Sequence, residues 1–242
     1  MLSNNFKKYI RSLHQRKFRQ KYNKIQVDGS KSCIEVVSQI PNAIDTVICT
    51  QSWLNSANIS LPECELLITT PEEVKGISQL DHNTQVSMVI DMDYSINSNY
   101  TDDWSIFLDD LQDPGNVGTI IRLADWYGIS TVYSSPHSAK VDNPKVIQAS
   151  MGGFTRVKTS IISQEDLIAD QTKPLIIADL DGTPVKSLES MSGGILVIGN
   201  EGRGVSPIFN QSKSIKVTIP GYGRAESLNA SVSCGIILSH LL

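Results

Sequence analysis

The sequence predicts an α/β protein built from two units, and three observations carry that reading. Strand-length apolar segments alternate with helix-length ones along the chain. Two late segments, Leu175–Ala178 and Ile195–Ile198, are apolar at every position, as strands of a parallel sheet buried on both faces are. The alternation breaks once, over residues 92–103, which are polar and without period. A cut there separates residues 1–95 from residues 104–242. At 242 residues and 40% hydrophobic content, the chain has material for one large domain or two small ones.

The first unit opens with Phe6, Tyr9, Ile10, Leu13 and Phe18 at helical spacing between basic residues, which predicts one amphipathic helix over residues 3–22. Lys24–Val27 reads as a strand, Asp28-Gly29 as its turn and Ser32–Ser38 as a helix. Thr46–Cys49 and Leu66–Thr69 are short strands, and Thr70-Pro71-Glu72-Glu73 starts a helix with proline at its first position. Val86–Asp91 is the last strand of this unit.

In the second unit Trp104–Leu108 is a strand and Asp113-Pro114-Gly115 a turn. Asn116 suits an N-cap for a helix over Val117–Tyr127, with Gly128 at its C′ position. Ile129–Ser134 is a strand, and Asn143–Met151 is a short helix closed by Gly152-Gly153. Thr155–Ile162, Leu175–Ala178, Ile195–Ile198 and Ile215–Ile219 are strands, and Ser227–Leu242 is a closing helix for which Ser227 is a good N-cap.

The net charge of −4 hides an asymmetry. Residues 1–31 hold nine of the 21 Lys and Arg and one of the 25 acids, a charge of +8 that leaves −12 on the rest. A basic arm on an acidic body suits an anionic partner, nucleic acid foremost, or else a solvated helix face. The apolar runs are too short to span a bilayer, and the basic N-terminus lacks the apolar core of a secretory signal. Cys33, Cys49, Cys64 and Cys234 form no CxxC and no metal spacing, which favours free thiols in a reduced cytoplasmic setting. His14, His82, His137 and His240 are scattered and take no role.

Three loops gather the informative residues: 113–122 (Asp-Pro-Gly-Asn-Val-Gly-Thr-Ile-Ile-Arg), 199–206 (Gly-Asn-Glu-Gly-Arg-Gly-Val-Ser) and 220–229 (Pro-Gly-Tyr-Gly-Arg-Ala-Glu-Ser-Leu-Asn). Each follows a strand, where ligands bind in open α/β sheets. In the middle loop Gly199, Gly202 and Gly204 permit positive φ and close backbone approach. It imitates a phosphate loop, but Val205 stands where the lysine belongs, and its glycine order is not the dinucleotide fingerprint.

Together the three stretches resemble the ordered motifs of the SpoU (TrmH-like) branch of the SPOUT methyltransferases: N-V-G-T-I-I-R-x-A, then V-I-G-N-E-G-x-G-V, then I-P-x-x-G-x-x-E-S-L-N-A-S-V-S. The likeness runs from about residue 104 to 242. More faintly, the N-terminal part resembles the small α/β substrate-binding domain that many of these enzymes carry, with Val27-Asp28-Gly29 near its usual V-E-G. The resemblance implies a C-terminal trefoil knot, a homodimer with active sites at the interface, and S-adenosylmethionine bound by Gly199, Asn200, Gly202, Ile219 and Leu228. It implies methylation of an RNA ribose 2′-hydroxyl, with Arg122 the catalytic arginine and Asn116, Glu201, Ser227 and Asn229 the accompanying polar set. A methyl on sulfonium is already activated, so no metal is called for.

Ribosomal RNA is favoured over transfer RNA, and the alternatives are a tRNA 2′-O-methyltransferase or an inactive RNA-binding protein that keeps the fold. A decayed enzyme would be expected to lose Arg122 or Asn229, and both are present. Lys7, Lys8, Arg11, Arg16, Lys17 and Arg19 are the candidate RNA contacts. Five phosphate contacts from this arm would give a log affinity against log salt slope near about −3.5. Two departures from the family pattern stand out. Leu80–Gln85 replaces the usual T-P-Q-G, and Gly221-Tyr222 replaces an apolar Met, with Tyr222 read as packing rather than stacking on a base.

Overall fold

The computed structural model describes residues 1–80, 84–97, 100–170, 172–211 and 214–242. Asp81, His82 and Asn83, within the Leu80–Gln85 departure, lie outside the described residues, as do Ser98 and Asn99 of the polar break. The chain divides into two compact units, one of residues 1–97 with 141–156 and the other of residues 98–140 with 157–242.

The first unit is a four-stranded sheet in the order β1-β4-β2-β3, formed by β1 (Lys24–Asp28), β2 (Ile44–Cys49), β3 (Glu65–Ile68) and β4 (Val86–Asp91). Only the β2–β3 pairing is parallel. Period-two alternation sends side chains to both faces. Val47, Cys49, Val86, Met88 and Ile90 enter one core with Cys33 and Val36, while Ile48 and Val89 enter another with Ile10, Leu13, Val74 and Ile77. The helices are α1 (Asn4–Ser12), α2 (Arg16–Tyr22), α3 (Ser30–Gln39), α4 (Gln51–Ser56) and α5 (Pro71–Ile77). α4 escaped the periodicity reading because six residues with one buried anchor, Trp53, make no pattern.

The single helix expected over 3–22 is two helices. Leu13 is fully buried, and Gln15 turns extended at φ −100° and ψ 131°. The carbonyls of Leu13 and His14 accept instead from the Arg19 guanidinium, at 3.2 and 3.1 Å. Arg19 is 4% exposed and pairs with Asp142 at 3.1 Å. It is therefore an internal bracket, and its place among the RNA contacts is withdrawn. Segment 141–156 joins this unit for related reasons: Ile147 and Phe154 complete the core around β1, and Arg156 pairs with Glu35. A segment that returns to an earlier unit leaves no composition break for a sequence reading to find.

The arm is thus packed structure, and its cations differ in availability. Lys7 pairs with Glu73 at 2.7 Å and, with Thr69, holds that carboxyl down to about 2. Arg11 is exposed but donates to the Gly76 carbonyl at 2.8 Å. Lys8, Arg16, Lys17 and Lys21 are exposed. Arg19→Ala should strand a buried carboxylate and cost about 3 kcal/mol of stability. Lys17→Ala should change it by less than about 0.5 kcal/mol, and urea denaturation of the two variants checks the contrast.

The second unit is a six-stranded, all-parallel sheet in the order β10-β8-β9-β5-β6-β7. Its elements in chain order are β5 (Thr101–Leu108), α6 (Pro114–Trp126), β6 (Ile129–Ser134), β7 (Lys158–Ile161), α8 (Gln164–Ala169), β8 (Leu175–Pro184), β9 (Gly194–Ile198), β10 (Ser214–Thr218) and α9 (Ala230–Leu241). The number α7 belongs to Pro144–Ser150 of the first unit. Phe107, Leu175, Ile177, Ile195 and Val197 pack on one face with Leu167 and Phe209. α6 and α9 pack against each other and against β5, β8 and β9. Gly235 of α9 faces Leu123 of α6, where a Cβ would make ordinary contact with the leucine methyls at 3.5 Å. α8 was missed, although Ser163 and Asp166 carry an S-x-x-D capping signature and the Ser163 hydroxyl caps the Asp166 N–H. All four cysteines are free.

Candidate active site

The loops after β5, β9 and β10 all leave the carboxyl end of the parallel sheet. The helix after the first loop starts earlier than its sequence suggested. Asp113 is the N-cap, its carboxylate accepting from the Asn116 N–H at 2.8 Å. Asn116 therefore stands inside the first turn of α6, 7% exposed, and its side chain is free to turn away from its own helix. The end fits the expectation: Gly128 takes φ +69° after Tyr127.

The Asn116 carboxamide joins the loops. Its Nδ2 donates to Glu201 Oε1 at 3.0 Å, and its Oδ1 accepts from Asn229 Nδ2 at 2.8 Å and Ser231 Oγ at 3.4 Å. Asn229 caps α9, its Oδ1 accepting from the Ser231 and Val232 N–H groups at 2.9 and 3.3 Å. This overturns the capping assignment made from sequence. Ser227 lies two residues before the cap and is exposed, and the helix begins at Ala230. Ser231, which sequence reading passed over, bonds both Asn116 and Asn229 and is 8% exposed.

The middle loop is a small closed hairpin. Asn200 and Gly204 exchange backbone bonds at 3.0 and 2.9 Å, and Asn200 Oδ1 accepts from the Gly202 and Arg203 N–H groups. Of the three glycines expected to use positive φ, Gly204 does so, at +71°. Gly199 is needed for room: a Cβ there would lie 2.4 Å from the Gly204 carbonyl carbon and 2.5 Å from the Val205 nitrogen. Ile219 is half-buried, and Leu228 is 49% exposed.

Two expected members stand apart. Arg122 is exposed on α6 and makes no hydrogen bond or ion pair with the described residues. Six residues beyond Asn116, it lies about 240° around the helix and about 9 Å along it. Tyr222 is 90% exposed, so the packing reading fails. No group of three or more metal-ligating side chains occurs among the described residues, and no described helix is long and apolar enough to cross a membrane.

This arrangement has counterparts. Residues 103–239 match the profile of the SpoU rRNA Methylase family, and residues 4–87 match that of the MRM3-like substrate binding domain. The chain belongs to the SpoU rRNA Methylase family. RlmP of Bacillus subtilis, a 23S rRNA (guanosine(2553)-2'-O)-methyltransferase, is 26% identical over 236 residues, 96% of this chain and 93% of that protein. A TrmH-family structure from Porphyromonas gingivalis superposes with a TM-score of 0.85 at 32% identity, covering 100% of this chain and 98% of that one. An AdoMet-bound rRNA methyltransferase from Sinorhizobium meliloti gives a TM-score of 0.84 at 25% identity, over 100% and 95%.

The methyltransferase uses S-adenosylmethionine, and the middle loop closes on itself only because Gly199 has no Cβ, the Gly204 and Val205 backbone filling that space. Gly199→Ala should push the hairpin open. Calorimetry with S-adenosylhomocysteine should then show binding at least about tenfold weaker than wild type.

Proposed function

We propose that this methyltransferase modifies a ribose 2′-hydroxyl of ribosomal RNA, in the cytoplasm, as a homodimer whose C-terminal segment is knotted. The observation that carries the reading is the meeting of Asn116, Glu201 and Asn229 across three separate loops. The likeness to a 23S rRNA methyltransferase over 96% of this chain supports ribosomal over transfer RNA, and the substrate-binding profile over residues 4–87 supports a separate unit for gripping the substrate. The strand order, with β10 outside β8 and α9 packed back on β8 and β9, supports the knot.

When bound, the sulfonium donor supplies an activated methyl group. The chain must then hold the ribose hydroxyl in line and favour its negative charge as the proton leaves. Arg122 is suited to the second task. A guanidinium stays charged at any working pH, so it stabilises an alkoxide and grips the neighbouring phosphate rather than accepting a proton. Glu201 and Asn229, hydrogen-bonded to Asn116, shape the loops on the donor side, and the exposure of Ser227 supports a role for it towards the ribose. The backbones of Gly199, Asn200, Gly202, Ile219 and Leu228 hold the donor.

Arg122 needs a route to that site, and a second copy provides it. One turn on from Arg122 stands Trp126, 82% exposed, on the same helix face. Val232 of α9 is 49% exposed. An exposed tryptophan one turn from an unpaired guanidinium suits a symmetric partner that covers this end of α6 and receives the arginine into its own loops.

Two outcomes test this. Arg122→Ala should abolish methyl transfer yet bind S-adenosylhomocysteine like wild type. At a donor concentration too low to load Gly199→Ala, mixing Arg122→Ala with it in equal amounts and letting subunits exchange should restore about a quarter of wild-type activity, since half the dimers then hold one complete site. No recovery would place the arginine in its own subunit's site. For RNA, replacing Lys8, Arg16, Lys17 and Lys21 with Gln should flatten the log affinity against log salt slope by up to about 2.8, at about 0.7 per lost contact. Filter binding across a salt series measures it.

A further inference from the structure

At the end of β5 the chain places a carboxylate where no solvent reaches: Asp109 is 0% exposed. Its Oδ2 accepts from the Ser206 N–H at 2.6 Å, and its Oδ1 accepts from Ser206 Oγ at 2.9 Å and Gln164 Nε2 at 2.7 Å. The next residue, Asp110, takes φ +55°, a left-handed turn unusual for a residue with a side chain. That bend points the Asp110 carbonyl at the other end of the middle loop, where it accepts from Asn200 Nδ2 at 2.9 Å. The turn is itself anchored: the Asp110 N–H donates to Ser135 Oγ at 2.9 Å, and Ser135 Oγ donates to Asp110 Oδ1 at 2.7 Å. One two-residue turn thus grips the loop 199–206 near both ends.

We propose that Asp109 and Asp110 are positioning residues that hold the Gly199–Ser206 loop in its donor-binding shape. The inference rests on the reading of that loop as part of the S-adenosylmethionine site. The β5–β9 ladder, which runs to Ile198 and the Asp109 N–H, sets where the loop starts. The Asp110–Asn200 bond, the Arg203–Asp110 pair and the Asp109–Ser206 bonds hold the rest of it against the end of β5 as far as Ser206. A buried carboxylate costs stability unless each oxygen is satisfied, and here three donors meet it. Those same donors lose their acceptor if it is removed, so the loop end would drift towards water.

Kinetics separate this role from simple folding support. Asp109→Ala should raise KM for S-adenosylmethionine about tenfold or more, as expected for orphaned buried donors, while turnover at saturating donor falls far less. Asp109→Asn keeps an acceptor for the Ser206 N–H, and the Gln164 amide can flip to meet the new NH2, so it should recover most of the loss. Ser206→Ala removes one bond without disturbing the buried site and should raise KM about threefold; it carries the test if the alanine variant at 109 does not fold. Unchanged KM in Ser206→Ala together with Asp109→Ala, or a fall in turnover with KM unmoved, overturns the proposal. Wild-type protein that fails to bind S-adenosylhomocysteine overturns the cofactor reading instead, and this inference with it.

Discussion

A single carboxamide with both ends engaged links three stretches of chain that are far apart in sequence. Asn116 donates to Glu201 on one side and accepts from Asn229 and Ser231 on the other. Its orientation leaves no ambiguity, because a donor faces a carboxylate and the oxygen faces donors. It can do this only because Asp113 has taken over the capping of α6. Asn229 repeats the arrangement at α9, where its oxygen caps the helix and its nitrogen is left for Asn116. Two helix starts and one glycine hairpin are thereby registered against each other, so displacing one loop end disturbs the others.

That register explains why the polar set divides in two. Asn116, Glu201, Asn229 and Ser231 bond one another and act as scaffold. Arg122 touches none of them, and helical geometry forbids it: the residues that share a face with Asn116 are three and four away, not six. An exposed guanidinium one helical turn from Trp126 is spared the cost of burial. The division suits a site whose donor pocket must be formed in advance and whose acceptor side must open to a large substrate.

Much of the second unit was legible in the sequence because its signals are local. Continuous apolar runs marked the buried parallel strands, and Gly128 marked the end of α6. The three loops were legible as a set of motifs, and the structure joins Asn116, Glu201 and Asn229 as that set suggested. What escaped was decided by partners distant in sequence. Ser227 looked like the cap of the closing helix, but Asn229 takes that place with its own Oδ1 on the Ser231 and Val232 N–H groups, and its nitrogen reaches Asn116, 113 residues away. Arg19 looked like one more cation in a basic arm, while its partner Asp142 lies 123 residues on. Asp109 drew no notice because a lone aspartate after a strand has no pattern, and its importance lies in three donors that fold onto it.

The basic N-terminus shows how charge and packing share one segment. Ile10 of α1 and Leu13 just after it are buried in a core with α5, and α2 buries Arg19, so the segment could not peel away as a flexible arm without exposing those groups. Arg19 braces the break between them, and Lys7 ties α1 to α5 through Glu73. The cations that remain exposed on α2, Arg16, Lys17 and Lys21, therefore sit on a fixed surface, with Lys17 and Lys21 held over the rings of Phe18 and Tyr22. Charge held on packed helices loses less entropy on meeting an anion than charge on a tethered tail does. On a chain whose remaining residues carry a charge of −12, these cations concentrate positive potential on one face of the first unit.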